Sequence, residues 1–282
     1  MSYTMTIADL LEIQEITLSE PLFSDLLYQD MDTIILQEPI EKGKILVDEE
    51  ENPVIFAGYN SNIGWIGCCT LFRNPSLPLI EYFEEAELEM YQENRSIVTD
   101  TVREYYSKNL QKTVLPGPDD LNPNRASSID ELLKKTMGFE TGSLCLDCCC
   151  GTGVGSMVMR DHGMIPLAYD NDESLLVRGM NEGRLKPERT MWIDGRLIND
   201  FLTEPVPVSC GFMIGEVHSF NAHIWKDIII AACNASEKIL FTTGTEPEII
   251  QVKDWASEAG KKVEIFESDS DPIYDRWICF SE

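Results

Sequence analysis

The stretch Leu144-Cys-Leu-Asp-Cys-Cys-Cys-Gly-Thr-Gly-Val-Gly-Ser156 constrains the fold more than any other part of the chain. An apolar run ends in an acid, Asp147. A turn of small residues follows, and a helix is predicted from near Ser156 through Met157, Val158 and Met159. Strand, tight turn and helix in that order open a βα unit. Its glycines let backbone approach a ligand closely, and the helix start offers free amides. Taken alone, the segment predicts a site for a nucleotide-like cofactor.

Downstream, short apolar runs alternate with helical segments, the rhythm of a mostly parallel sheet. Met164–Tyr169 reads as a second strand ending in Asp170, 23 residues after Asp147, where an acid can accept both hydrogen bonds of a ribose diol. A helix is expected over Glu173–Asn181. A third strand, Thr190–Ile193, ends at Asp194-Gly195, where an acid can accept from an adenine amino group. Gly211–Gly215 is predicted as a short fourth strand, Trp225–Cys233 as a helix and Lys238–Thr243 as a fifth strand. Glu248–Ala259 reads as a helix, and Lys262–Glu267 and Arg276–Phe280 as two closing strands. Upstream, Ser128-Ile-Asp-Glu131 has the form of a capping box for a helix with Ile129, Leu132, Leu133 and Met137 on one stripe, ended by Gly138.

Over roughly residues 128 to 282 the sequence resembles the class I, Rossmann-like, S-adenosylmethionine-dependent methyltransferases. The resemblance covers about 155 residues. It implies a mostly parallel seven-stranded sheet with flanking helices, its last two strands a reversed hairpin at the edge. It also implies S-adenosylmethionine as cofactor, with Asp147 toward its amino-acid end, Asp170 on the ribose and Asp194 beside the adenine. Cofactor contacts are expected at Asp147, Cys149, Gly151, Thr152, Gly153, Asp170, Asn171, Asp194 and Gly195. One departure stands at Cys149, where the family has its first glycine, so a less permissive turn is expected there.

Two rival readings of the same residues are weaker. A nicotinamide dinucleotide site, and hence an NAD(P)-dependent oxidoreductase, wants G-x-G-x-x-G, but the glycines alternate and the third required position falls on Ser156. A zinc or iron–sulfur site is suggested by Cys145-x-x-Cys148, but Cys145 lies inside a predicted strand and no second such pair exists. No bound metal is expected. A non-catalytic scaffold that keeps the fold is the third alternative; the acids at 147, 170 and 194 argue against it and Cys149 for it.

The loop after the fourth strand, Gly215-Glu-Val-His-Ser-Phe-Asn-Ala-His223, holds two of the three histidines. Such strand ends face the ligand crevice in open α/β sheets. Glu216 and His218 are candidate bases for the methyl acceptor, and Asn221 a candidate orienting group. Structural hydrogen bonds within the loop are the alternative for His218 and Asn221.

Residues 1–125 have no recognised relative and are read as a smaller α+β region before the domain at 126–282. One or two helices are expected over residues 5–40. An antiparallel meander is expected over Lys44–Val47, Pro53–Gly58 and Ile63–Phe72. One long helix, or two joined near Asn94, is expected over Leu79–Lys112. The prolines at 116, 118 and 123 mark a linker. This region is expected to serve as a substrate lid or as a partner-binding or homodimerisation module.

Charge narrows the partners. The net charge is −27, and residues 1–100 hold 20 acids against 4 bases. Such a surface disfavours nucleic acid and anionic membranes, and suits an acceptor on a protein or a small molecule. MSYTMTIADLLEIQE lacks the pattern of a signal peptide, and no apolar stretch approaches a membrane span. An odd count of nine cysteines fits reduced thiols, so a cytoplasmic location is expected.

Overall fold

The computed structural model describes residues 5–86, 88–119, 122–136 and 141–281. The chain divides into two compact units, Met1–Lys108 and Asn109–Glu282. The proline segment therefore groups with the second unit, and the division falls earlier than 125/126.

In the first unit, short helices α1 (Ile7–Leu10) and α2 (Asp32–Leu36) and two 3₁₀ turns occupy the early residues, with strand β1 at Thr17–Leu18. The expected meander is present as β2 (Lys42–Val47), β3 (Pro53–Asn60) and β4 (Gly64–Cys69), all antiparallel. The long helix is not. After α3 (Leu77–Glu84) the chain forms strand β5 (Leu88–Gln92), parallel to β2, before α4 (Arg95–Thr113). The edge of β2 would otherwise present unpaired backbone groups. Lys44 supplies a side-chain reason as well, with Nζ 2.8 Å from the Glu89 carboxylate and donating to the Tyr91 hydroxyl at 2.5 Å. The sheet order is β1-β4-β3-β2-β5. Phe56, Cys68, Leu79, Phe83 and Ile35 form a core beneath it.

The second unit carries α5 (Arg125–Thr136), β6 (Leu144–Cys148), α6 (Val154–Asp161), β7 (Ile165–Asp170), α7 (Glu173–Asn181) and β8 (Thr190–Trp192). It continues with β9 (Val206–Gly211), α8 (Ala222–Asn234), β10 (Ser236–Thr243), α9 (Glu246–Glu258), β11 (Val263–Glu267) and β12 (Trp277–Ser281). The seven strands lie in the order β11-β12-β10-β9-β6-β7-β8. β6 to β10 are parallel, and β12 runs antiparallel between β10 and β11. This is the Rossmann-like architecture with the reversed closing pair.

Two elements differ from expectation. The fourth strand is Val206–Gly211, and Gly211–Gly215 continues past its end as irregular backbone. Pro207 disguises the strand, yet it is exposed and takes no place in the register with either neighbour, so its missing N–H is harmless. Helix α5 starts at Arg125, so Ser128 lies inside it and caps nothing. The Ser128 hydroxyl donates to the Ser270 carbonyl at 3.0 Å, and Glu131 accepts from the Ser270 hydroxyl at 2.9 Å. Met137 and Gly138, the expected end of this helix, lie outside the described residues.

Two clusters build the core: Ile129, Leu133, Met159, Val208, Leu240 and Ile278 form one, and Ala168, Leu176, Val177, Met180 and Leu185 the other. All nine cysteines are free thiols. The sheet winds from β6 through β7 to β8, then resumes with β9 on the opposite side of β6. The strand order thus reverses beside β6, and a crevice at the carboxyl ends is where an open α/β sheet takes its ligand.

Candidate functional site

A cavity of about 420 Å³ opens at those carboxyl ends, within the roughly 300–1,000 Å³ typical of small-molecule sites. Its floor is the turn after β6. Alternate residues of that turn are left-handed, with φ +52° at Cys149, +52° at Gly151 and +76° at Gly153. A Cβ on Gly151 would meet nothing within 4 Å, so the backbone there faces open space. A Cβ on Gly153 would run into Leu185, so that glycine seats the turn on the core and does not line the cavity. Cys149 adopts, without being glycine, the left-handed conformation that glycine would enter freely, a strain of about 1–2 kcal/mol.

Two buried carboxylates stand at the strand ends. Asp147 is 1% exposed, lines the cavity, and accepts from the Ser156 hydroxyl at 2.6 Å. Burial pushes its pKa up to about 7, against the pull of Ser156 and the Arg125 charge. Asp170 is 8% exposed and accepts two backbone amides, Gly151 at 2.8 Å and Asp172 at 2.9 Å. Burial raises its pKa also, while those amides pull it down. The Asp170–Gly151 bond ties the turn of one βα unit to the strand end of the next. Burial likewise pushes the thiols of Cys149 and Cys150 well up, so both are neutral lining groups.

Of the remaining expected cofactor residues, Thr152, Asn171 and Gly195 line the cavity. Asp194 does not. Its carboxylate accepts from the Arg196 amide at 3.0 Å and from Arg196 Nε at 3.0 Å, which holds its pKa below the usual carboxylate range.

In the loop after β9, Gly215 and Asn221 line the cavity; between them Glu216, His218, Ser219 and Phe220 are exposed and Val217 is buried. The Asn221 side chain accepts from the His218 amide at 2.7 Å and donates to the Glu216 carbonyl at 3.0 Å, bracing the loop. Glu216 and His218 approach to 3.2 Å, with side chains 79% and 52% exposed, and neither lines the cavity. The His218 ring stacks on Phe220. The pair thus stands at the rim. His162 is bonded to Asp130 at 2.7 Å, and His223 lies exposed in the first turn of α8.

Sequence reasoning missed Arg125, Phe212 and Trp225. Arg125 is the one basic residue of the lining; it donates to the Phe212 carbonyl at 3.1 Å and lies over the Tyr274 ring. Phe212 and Trp225 pack where Gly155 and Gly215 leave room. No local motif marks these residues; only the tertiary fold brings α5, α8 and the β9 loop to the turn. Among the described residues no group of three or more His, Cys, Asp or Glu could hold a metal ion, and no helix is long and apolar enough to cross a membrane.

No family model matches the chain, and no curated protein sequence matches it. Solved structures that it is similar to include magnesium protoporphyrin IX methyltransferase from Synechocystis, at TM-score 0.46 and 12% identity over 65% of this chain and 96% of that one. A putative RNA methyltransferase from Pyrococcus horikoshii is similar at TM-score 0.43 and 18% identity, over 62% of this chain and 94% of that one. A TehB-like S-adenosylmethionine-dependent methyltransferase from Corynebacterium glutamicum gives TM-score 0.39 and 18% identity, over 64% and 98%. The Rossmann-like fold of the second unit stands on its own sheet order.

Proposed function

We propose that the second unit binds S-adenosylmethionine and transfers its methyl group to a nucleophile on a protein side chain or a small molecule. One observation carries the reading. The buried Asp170 carboxylate is bonded to the amide of Gly151, at the point where the left-handed turn is open to a cavity that Asp147 also lines.

The residues present fit the cofactor. Gly151 leaves a cradle that any side chain would fill. Asp147 offers a negative group to an ammonium, and Arg125 a positive group to a carboxylate. Asp170 retains lone pairs for a ribose diol, and Gly195 stands for the adenine edge, while Asp194 is held by Arg196 outside the cavity. When bound, S-adenosylmethionine supplies a methyl group activated on a sulfonium. The chain's own contribution is alignment for an in-line displacement, with Phe212 and Trp225 excluding water beside the turn. Glu216 and His218, at the rim, take the proton of an acceptor that must lose one.

The test is transfer of a labelled methyl group from S-adenosylmethionine to components of a cell extract, comparing the natural protein with Asp170→Ala. Label that depends on the protein and is lost in the folded variant supports the reading. Equal labelling with and without the protein contradicts it.

A further inference from the structure

A second and larger cavity, of about 840 Å³, lies within the first unit. It is built on one face of the meander. Lys42, Tyr59 and Trp65 sit in register across β2, β3 and β4, on one rung of the sheet. The Tyr59 and Trp65 rings approach to 5.4 Å, and the Lys42 ammonium lies over both, at 4.9 and 5.5 Å from their centres. Lys42 makes no ion pair among the described residues. Its closest partners are the ring faces, through the attraction of a cation for an aromatic quadrupole, with coulombic attraction from Glu41 and Glu89 beside it.

The other lysine of the lining behaves differently. Lys44 is buried, paired with Glu89 at 2.8 Å, and donates to the Leu11 carbonyl at 2.9 Å. It is a wall, saturated by the protein. The segment after α1 adds Glu12 and Glu15 to the lining, both exposed. Ile13 and Ile63 supply apolar lining. The cavity therefore combines an aromatic pair, carboxylates and apolar wall, in a region whose charge is −16 over residues 1–100.

We infer that this cavity is a binding site for alkylammonium groups, carried by a free polyamine or by lysine side chains of a polypeptide. The protein's own Lys42 ammonium occupies the ring face in the absence of a ligand and is displaced from it by one. A cation with an alkyl chain meets each lining feature with its complement: rings and carboxylates for the charges, isoleucines for the methylenes. An anion would have Lys42 alone in its favour, against the lining acids and the field of the unit.

Lys42→Met separates these cases, since it removes the resident charge and keeps the apolar stem. The full-length natural protein and the variants Lys42→Met, Trp65→Ala and Glu204→Gln are titrated by calorimetry with spermidine, an octapeptide of lysine and inorganic phosphate. Spermidine or the peptide is expected to bind one saturable site. Binding tightens about threefold or more in Lys42→Met, the scale of one cation–ring contact. It is lost in Trp65→Ala, and is unchanged in Glu204→Gln, a charge control in the other unit. Stronger binding by spermidine assigns a free amine, and stronger binding by the peptide a polypeptide. No saturable amine binding, weaker amine binding in Lys42→Met, or phosphate binding that Lys42→Met removes would each overturn the proposal. Lys42→Met leaves the rings in place, so the test holds even if Trp65→Ala does not fold.

Discussion

The two cavities of this chain use charge in opposite ways. In the second unit two buried carboxylates stand at strand ends, Asp170 held by the Gly151 and Asp172 amides and Asp147 by the Ser156 hydroxyl. In the first, Lys42, Glu12 and Glu15 are exposed side chains of a cavity that a pair of rings also lines. Buried charge is little screened by salt but sensitive to protonation. Exposed charge is sensitive to salt. The same ligand charge, a cation in each proposal, is thus met by two mechanisms that respond to different variables.

The largest effect is expected at the rim of the second cavity. If Glu216 and His218 serve as the base, His218→Ala should lower turnover by about 10²–10⁴ while sparing cofactor affinity. Their exposure makes the test sharp. A rate unchanged within threefold removes the pair from the chemistry and leaves the loop a structural element braced by Asn221.

Next in size is Asp170→Ala. Losing a charged acceptor at this position should weaken cofactor binding by about 1.5–3 kcal/mol. Stability should fall as well, because the Gly151 and Asp172 amides lose their acceptor. Calorimetry on a variant shown to be folded by circular dichroism separates the two effects. Unchanged affinity would take Asp170 out of the site.

Protonation divides the cavities further. Asp147 titrates near pH 7, above the ordinary 3.8 of its type. Its neutral form is therefore the one favoured by folding. The stability this contributes is fully present below about 3.8 and is lost as the pH rises through about 7. A cationic cofactor group needs the charged form. Its affinity should fall about tenfold for each pH unit below about 7, and Asp147→Asn should flatten that slope. Amine binding in the first cavity should weaken as salt is raised through about 0.15 M. A flat pH profile for the cofactor would contradict the assignment of Asp147.

The turn cavity was legible in the sequence because its parts are close together in the chain or lie at strand ends. Asp147, Gly151 and Asp170 follow from one apolar run, one turn and the next run. The sheet-face cavity was not legible, because its residues come from four separated segments that only the register of β2, β3 and β4 unites. The same cause hid Arg125 and Trp225, which no local pattern links to the turn. β5 was read as helix because Leu88 and Tyr91 keep helical spacing and neither proline nor glycine interrupts them. What decides it is the open edge of β2, a tertiary fact. Pro207 hid β9 in the opposite sense, a breaker placed where it breaks nothing. Ser128 matched a capping pattern while the helix began three residues earlier.

The smallest effect concerns the departure at Cys149. Replacing it with glycine relieves the left-handed strain but loosens the unfolded chain, so a net gain of about 0.5–1 kcal/mol is expected. Thermal melting reads it directly. A lowered melting temperature would mean that the Cys149 side chain contributes packing that outweighs its strain.

The central claim is that the glycine turn and its two acids hold S-adenosylmethionine. Calorimetric titration of the natural protein with S-adenosylmethionine and, separately, with NAD tests it most directly. The account predicts one saturable site per chain for S-adenosylmethionine, weaker at pH 6 than at pH 8, and none for NAD. Saturable binding of NAD with no heat from S-adenosylmethionine at either pH would contradict it.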